Sequence, residues 1–254
     1  VTKEKAVAII GWSTHGTRAL LPVATREGVT YLGHTCSRDV VQPEKYPYTF
    51  IFSPTYLDQF KIAMDYAKEQ GAKDIVILRE DLDAWKILLR DGHVDRYAEE
   101  LGLNIKGVVA CAAKAPDVTS QMLRVQSLNP DLLLCPNVPD SLISVLRDGI
   151  KVGFPPRKVV GASLWTTHPV IAKKLGEDIE GYVAVSTFPL FGEDNGIMRE
   201  ILEYKKGHPE NVEKFEGQTF YIHGWMQAKM FAKGLEAVIK ANGGEFPGDL
   251  DAAR

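Results

Sequence analysis

The sequence predicts an α/β fold of parallel sheets flanked by helices, and three observations carry that prediction. Short apolar stretches recur along the chain, and most are followed by a stretch of helical periodicity. Several of those stretches contain no polar side chain, as strands buried on both faces do. Gly, Asn, Asp or Pro stands at many of the junctions, where turns and caps need them. Alternation of this kind is the pattern of βαβ units.

The elements follow in order. Ala6–Ile10 is apolar throughout and reads as an internal strand, ended by Gly11. Ser13 and Thr14 are N-cap types, and a helical pattern runs to about Arg26 with Leu20, Leu21, Val23 and Ala24 for its buried side. Strand, small-residue turn and helix N-terminus together place backbone N–H groups and short hydroxyls at the carboxyl end of a sheet. That geometry favours a small anion such as a carboxylate. In open α/β sheets, ligands sit outside those strand ends. Thr30–Gly33 is a short strand, His34–Ser37 a polar turn, Tyr48–Phe52 a strand and Pro54–Gln70 an amphipathic helix. Strands then fall at Ile75–Leu78, Ile105–Ala110, Leu132–Cys135, Val159–Gly161 and Tyr182–Val185. Helices fall between them at about Ala84–Leu101, Val118–Ser127, Asp140–Ile150 and His168–Leu175. Ile197–Lys205 and Gln218–Ala241 are further helices, the second stopped by Asn242-Gly-Gly244. The runs Arg79–Asp83 and Glu177–Glu180 read as solvated turns. The Gly71–Asp74 turn and the segment Thr187–Pro189 are the expected crossings between two lobes.

Composition narrows the function. With 254 residues the chain has room for one large or two small α/β domains. A net charge of −3 gives no reason to expect nucleic acid as a partner. No apolar run approaches membrane-spanning length. The three cysteines form no C-x-x-C pair, and Cys111 and Cys135 read as small buried residues. Val1–Lys5 lead straight into a strand of core character, so the natural N-terminus is expected to lie upstream. Enzyme motifs are lacking. Gly11-Trp-Ser-Thr-His-Gly16 brings its second glycine one residue late for a nucleophile elbow, and no phosphate loop or G-x-G-x-x-G occurs. His15, His34 and Cys36 invite a metal, but their spacing specifies no site. The expectation is therefore no enzyme, no metal and no cofactor.

Several segments, in order and spacing over nearly the whole chain, carry a family resemblance. These are Ala8-Ile-Ile-Gly11 with its Ser/Thr turn and Gly16, Pro22-Val-Ala24, Gly28-Val29 and the turn ending at Ser37. Asp117-Val-Thr-Ser-Gln-Met122, Asn129-Pro-Asp131, Gly149 through Val160-Gly161, and the helix Tyr221–Gly243 with Trp225 continue the series. The chain resembles the type I periplasmic solute-binding proteins of ABC importers, in their leucine/isoleucine/valine-binding branch. The resemblance implies two α/β lobes, residues 1–72 with 188–254 and residues 73–187. The first lobe is expected to lack its N-terminal βα units. It further implies a hinge-bending receptor that closes on a small carboxylate-bearing solute, an amino acid or an aromatic or other organic acid, in the inter-lobe cleft. The implied partner is the membrane permease of the importer. The implied location is periplasmic, or extracellular and membrane-anchored. The alternative is a ligand-sensing domain of the same fold in a regulator or receptor.

Site residues follow from the same resemblance. Thr14, His15 and Gly16 match the turn that holds the ligand carboxylate, with His15 where the family usually has serine; otherwise Thr14 merely caps its helix. Thr35, Cys36 and Ser37 match the second ligand turn, or form an ordinary strand-end turn. Trp85 is either a flat wall over the ligand or a helix-start aromatic packed between the lobes. Asn137, Ser163 and Trp165 follow strand ends. Ser163 stands where amino-acid binders often carry a glutamate for the ammonium, which weakens the case for an α-amino acid. Asp58, Asp81 or Asp83 remain able to supply that charge.

Overall fold

The computed structural model describes residues 6–212, 214 and 217–246. Val1–Lys5 lie outside them. The chain divides into two compact units: residues 1–55 with 189–254 form unit 1, and residues 56–188 form unit 2.

Unit 1 begins with β1 (Ala8–Trp12), α1 (Thr14–Arg26), β2 (Thr30–His34) and β3 (Thr49–Ile51). The strands are parallel in the order β1-β2-β3, with Ala8 opposite Thr30 and Trp12 opposite His34. The expected first strand is present, shifted from 6–10 to Ala8–Trp12. Among the described residues β1 pairs only with β2, and Ile10 and Trp12 are exposed. An apolar stretch reports what a strand can bury, not what covers it. The other face is filled: Leu21 and Ala24 of α1 pack with Tyr31 and Val40, and Ile9 and Ile51 lie against them. Gly11 belongs to this face. The Tyr31 ring crosses it, and a Cβ there would run into the Tyr31 hydroxyl. That hydroxyl donates to Thr17 Oγ1 at 3.1 Å.

Unit 2 runs α2 (Tyr56–Glu69), β4 (Asp74–Glu80), α3 (Asp83–Arg90), α4 (His93–Leu101), β5 (Asn104–Cys111), α5 (Thr119–Ser127), β6 (Leu132–Cys135), α6 (Pro139–Lys151), β7 (Val159–Gly161), α7 (Val170–Leu175) and β8 (Val183–Ala184). All five strands are parallel, in the order β5-β4-β6-β7-β8. The helix expected over 84–101 is two helices. Gly92 takes a left-handed conformation, φ 65°, that breaks the run between Arg90 and His93. The first division of the chain falls at Thr55/Tyr56 instead of 72/73. The apolar stripe of α2, Phe60, Ala63, Met64 and Ala67, is buried, and α2 packs on α4 and β6. The Gly71–Asp74 turn is thus internal to unit 2, and the second division falls at Phe188/Pro189.

The unit 2 core joins Val76 and Leu78 of β4, Leu133 and Cys135 of β6, Val118, Met122 and Val125 around α5, and Leu142, Val145 and Leu146 of α6. Each fully buried aliphatic side chain there contributes roughly 1.5–3 kcal/mol. Asp148 of α6, fully buried, accepts the Val118 N–H at 2.8 Å and pairs with Arg147 and Lys151. Unit 1 resumes with α8 (Gly196–Gly207), α9 (Pro209–Val212) and α10 (Thr219–Ala241). Helix α10 is tied to β2 by the Gln227 side chain, which donates to the Leu32 carbonyl at 3.3 Å.

Candidate functional site

In unit 1 the polar groups gather where β1 and β2 end and α1 begins. Ser13 is the N-cap, its Oγ accepting the Gly16 N–H at 3.1 Å, and its carbonyl accepts the Thr17 N–H at 3.0 Å. Ser13 holds φ 66°, ψ 156°, a region normally left to glycine. Such strain costs of order 1–3 kcal/mol and collects at ligand turns. The N–H groups of Thr14 and His15 have no acceptor among the described residues, and they stand at the positive end of a thirteen-residue helix. Thr14 is half-buried and His15 exposed.

The second turn runs alongside. Thr35 Oγ1 lies 2.7 Å from Thr14 Oγ1 and accepts the Ser37 N–H at 3.2 Å. With Thr35 donating to Thr14, the Thr14 hydrogen is left for a ligand. Ser37 turns inward: its hydroxyl donates to Asp39 and accepts from Arg18 Nη2 at 3.3 Å. Both Ser37 donors are therefore engaged within unit 1. Arg18, one turn beyond Thr14 on α1, grips Asp39 through Nε at 2.7 Å and Nη2 at 3.0 Å. Burial alone would raise the Asp39 pKa, but the Arg18 guanidinium and Ser37 hydroxyl hold it below the usual carboxylate range. Cys36 is buried and in no disulfide.

Behind these turns lies a pair that sequence reading did not anticipate. His34 Nε2 and His223 Nδ1 are 2.8 Å apart, fastening the end of β2 to the first turns of α10. Trp12 stacks on His34 with centroids 4.1 Å apart, and Phe52 and Phe220 flank the ring. Burial in this aromatic nest pushes the His34 pKa down to about 4. Among the described residues no three His, Cys, Asp or Glu side chains are placed to hold a metal ion.

In unit 2 the strand ends carry a different chemistry. Glu80, last residue of β4, was expected on a solvated turn and is instead fully buried. It accepts the Val138 N–H at 3.1 Å, the Trp85 indole N–H at 3.2 Å and the Ser141 hydroxyl. A carboxylate thus caps the N-terminus of α6. Its charge, after burial itself, helps push the Cys111 thiol up to about 11. Trp85 is 1% exposed, packed edge-on against Tyr56 with centroids 4.7 Å apart. Both rings belong to unit 2. Trp165 is half-buried and donates to the Tyr56 hydroxyl at 3.0 Å. Asn137 and Ser163 are fully buried, and the Ser163 hydroxyl donates to the Asn137 carbonyl at 3.3 Å. The structure thus brings Thr14, His15, Gly16 and Thr35 to one rim of unit 1, and Asn137 and Ser163 to one rim of unit 2.

Parallel sheets in two units, each with polar groups gathered at the carboxyl ends of its strands, place those groups where open α/β sheets bind their ligands. Solved structures agree on the fold. A branched-chain amino acid ABC transporter protein from Thermus thermophilus with bound valine matches at TM-score 0.81 and 18% identity, over 99% of this chain and 65% of that one. A substrate-binding protein from Aeropyrum pernix matches at TM-score 0.77 and 21% identity, over 99% and 65%. A solute-binding protein from R. palustris in complex with benzoate matches at TM-score 0.75 and 18% identity, over 99% and 66%. This chain spans about 65% of the length of such chains. No curated protein matches the sequence. The family model described as periplasmic binding protein matches residues 1–254, and the chain belongs to that family, with the type I fold.

Proposed function

We propose that this chain is a non-enzymatic, extracytoplasmic solute-binding receptor of an ABC importer, and that the rim at the N-terminus of α1 takes the carboxylate of a small solute. One observation carries the reading. The Thr14 and His15 N–H groups and the Thr14 hydroxyl converge at a helix N-terminus, on a turn whose Ser13 backbone is strained. Asn137, Ser163 and Trp165 are offered as further contacts from unit 2. The fold neighbours support the carboxylate class, since their bound molecules are valine, benzoate and 4-hydroxybenzoate. Membership of the periplasmic binding protein family supports delivery to a membrane permease. Among the described residues no helix is long and apolar enough to cross a membrane.

Thermal-shift screening against amino acids, aromatic acids and short organic acids identifies the solute, because a ligand of the folded state raises the melting temperature. Calorimetry on the best acid then tests the site. Thr14→Val removes one hydrogen bond to a charged group, worth roughly 1.5–3 kcal/mol, or about a tenfold to hundredfold loss of affinity. Unchanged affinity in a Thr14→Val/His15→Ala double variant refutes the carboxylate site.

A further inference from the structure

Asn137 stands two residues beyond the end of β6, in the turn that opens α6. In unit 2, β5 lies on one flank of β4 while β6, β7 and β8 follow on the other, so the topological switch point falls between β4 and β6. Glu80 and Asn137 mark its two carboxyl ends. The Asn137 side chain is fully buried, and neither Oδ1 nor Nδ2 has a hydrogen-bond partner among the described residues. A buried carboxamide left this way is costly, and native structures keep few without a use. The backbone around it is pinned. The Asn137 carbonyl accepts the Ser163 hydroxyl, and the next N–H, of Val138, is held by Glu80. The amide is thus set on a rigid support, as a recognition group requires.

The surroundings narrow what it reads. Glu80 already places a negative charge at the N-terminus of α6, so a second carboxylate there meets repulsion. An ammonium would satisfy Oδ1 and set its hydrogens against the two on Nδ2. A hydroxyl or a carboxamide matches both atoms, donating to Oδ1 and accepting from Nδ2. We infer that Asn137 is the specificity-determining residue of unit 2 and reads a neutral hydroxyl or carboxamide on the solute. The inference rests on the carboxylate-receptor reading above.

Asn137→Leu, close in shape, supplies two separable readouts. In the ligand-free protein, removing an unsatisfied buried amide raises Tm by about 3 °C. A fall in Tm shows the amide holding the fold, for example through an ordered water, and overturns the assignment. In calorimetry the probes are phenylacetate, mandelate, 4-hydroxyphenylacetate and phenylglycine. The wild type binds at least one hydroxy acid tenfold tighter than phenylacetate, and phenylglycine gains nothing. In Asn137→Leu that preference collapses to about onefold while phenylacetate affinity holds. A preference that survives the substitution, or an equal loss for every probe, overturns the inference. Failure of all four acids to bind counts against the carboxylate reading, and the melting arm then decides on Asn137 alone.

Discussion

Lowering the pH from 7.5 to 5 should loosen unit 1 through His34. In an unfolded chain this imidazole titrates near 6.5, and in the folded protein at about 4, because burial beside Trp12, Phe52 and Phe220 disfavours the charged ring. A folded pKa below the unfolded one means the unfolded chain binds more protons between those values. Stability is therefore whole above pH 6.5 and is lost as pH falls toward 4. The gap from 6.5 to about 4 amounts to about 3 kcal/mol in full, of which about 2 kcal/mol is gone by pH 5. The neutral Nε2···Nδ1 bond to His223 needs one donor and one acceptor, and protonating both rings removes the acceptor. Urea titrations at pH 7.5, 6 and 5 on the wild type and on His34→Phe measure the effect. Phenylalanine keeps the ring packing and does not titrate, so it starts less stable and falls less on acidification, by about 2 kcal/mol at pH 5. Parallel pH profiles for the two proteins refute the argument.

Three further outcomes are expected. Burial raises the Asp148 pKa, but Arg147, the Val118 N–H and Lys151 outweigh it and hold the carboxyl far below its ordinary value, so its contribution is present above about pH 4 and lost in stronger acid. Asp148→Asn should cost about 2 kcal/mol in urea at pH 7 and remove that acid dependence. Ser13→Gly should relieve of order 1–3 kcal/mol of strain, against a few tenths for the lost cap and about 0.5–1 for glycine in the unfolded chain, giving a Tm a few degrees higher; a lower Tm would show the turn to be relaxed. Trp85→Phe deprives buried Glu80 of a donor and should destabilise by about 1–3 kcal/mol while leaving solute affinity unchanged in calorimetry.

Much of the fold was legible because strands of unit 2 are apolar runs and their helices carry caps and glycines where the chain turns. Leu132–Cys135 and Val159–Gly161 are strands with the bounds their residues suggested. What local pattern cannot report is the partner. The α2 stripe signals a buried face without saying which sheet receives it. At the candidate site, the N-cap and hydroxyl turns at Ser13, Thr14 and Thr35 could be read from residue type. Arg18 sits four residues after Thr14, a spacing that places both on one helix face, so its arrival at Asp39 had a signal that went unused. The His34–His223 contact had none, since 189 positions separate the two rings. Glu80 was misjudged because an acidic run usually means water, and only the fold shows the α6 amide and Ser141 waiting for its charge.

The order of residues along the chain has a consequence for biosynthesis. Unit 2 is one uninterrupted stretch, whereas unit 1 needs residues on both sides of it, and its β2–α10 fastenings join positions nearly two hundred apart. A ribosome delivers the whole of unit 2 before it delivers α10, and contacts between distant positions close late. Until α10 emerges, the sheet face around Leu32 and Phe50 stays open, as it lines an apolar crevice with Met230, Phe231 and Leu235 of that helix. Nascent chains stalled between residues 190 and 218 should therefore carry a protease-resistant unit 2 and an early segment still open to cleavage.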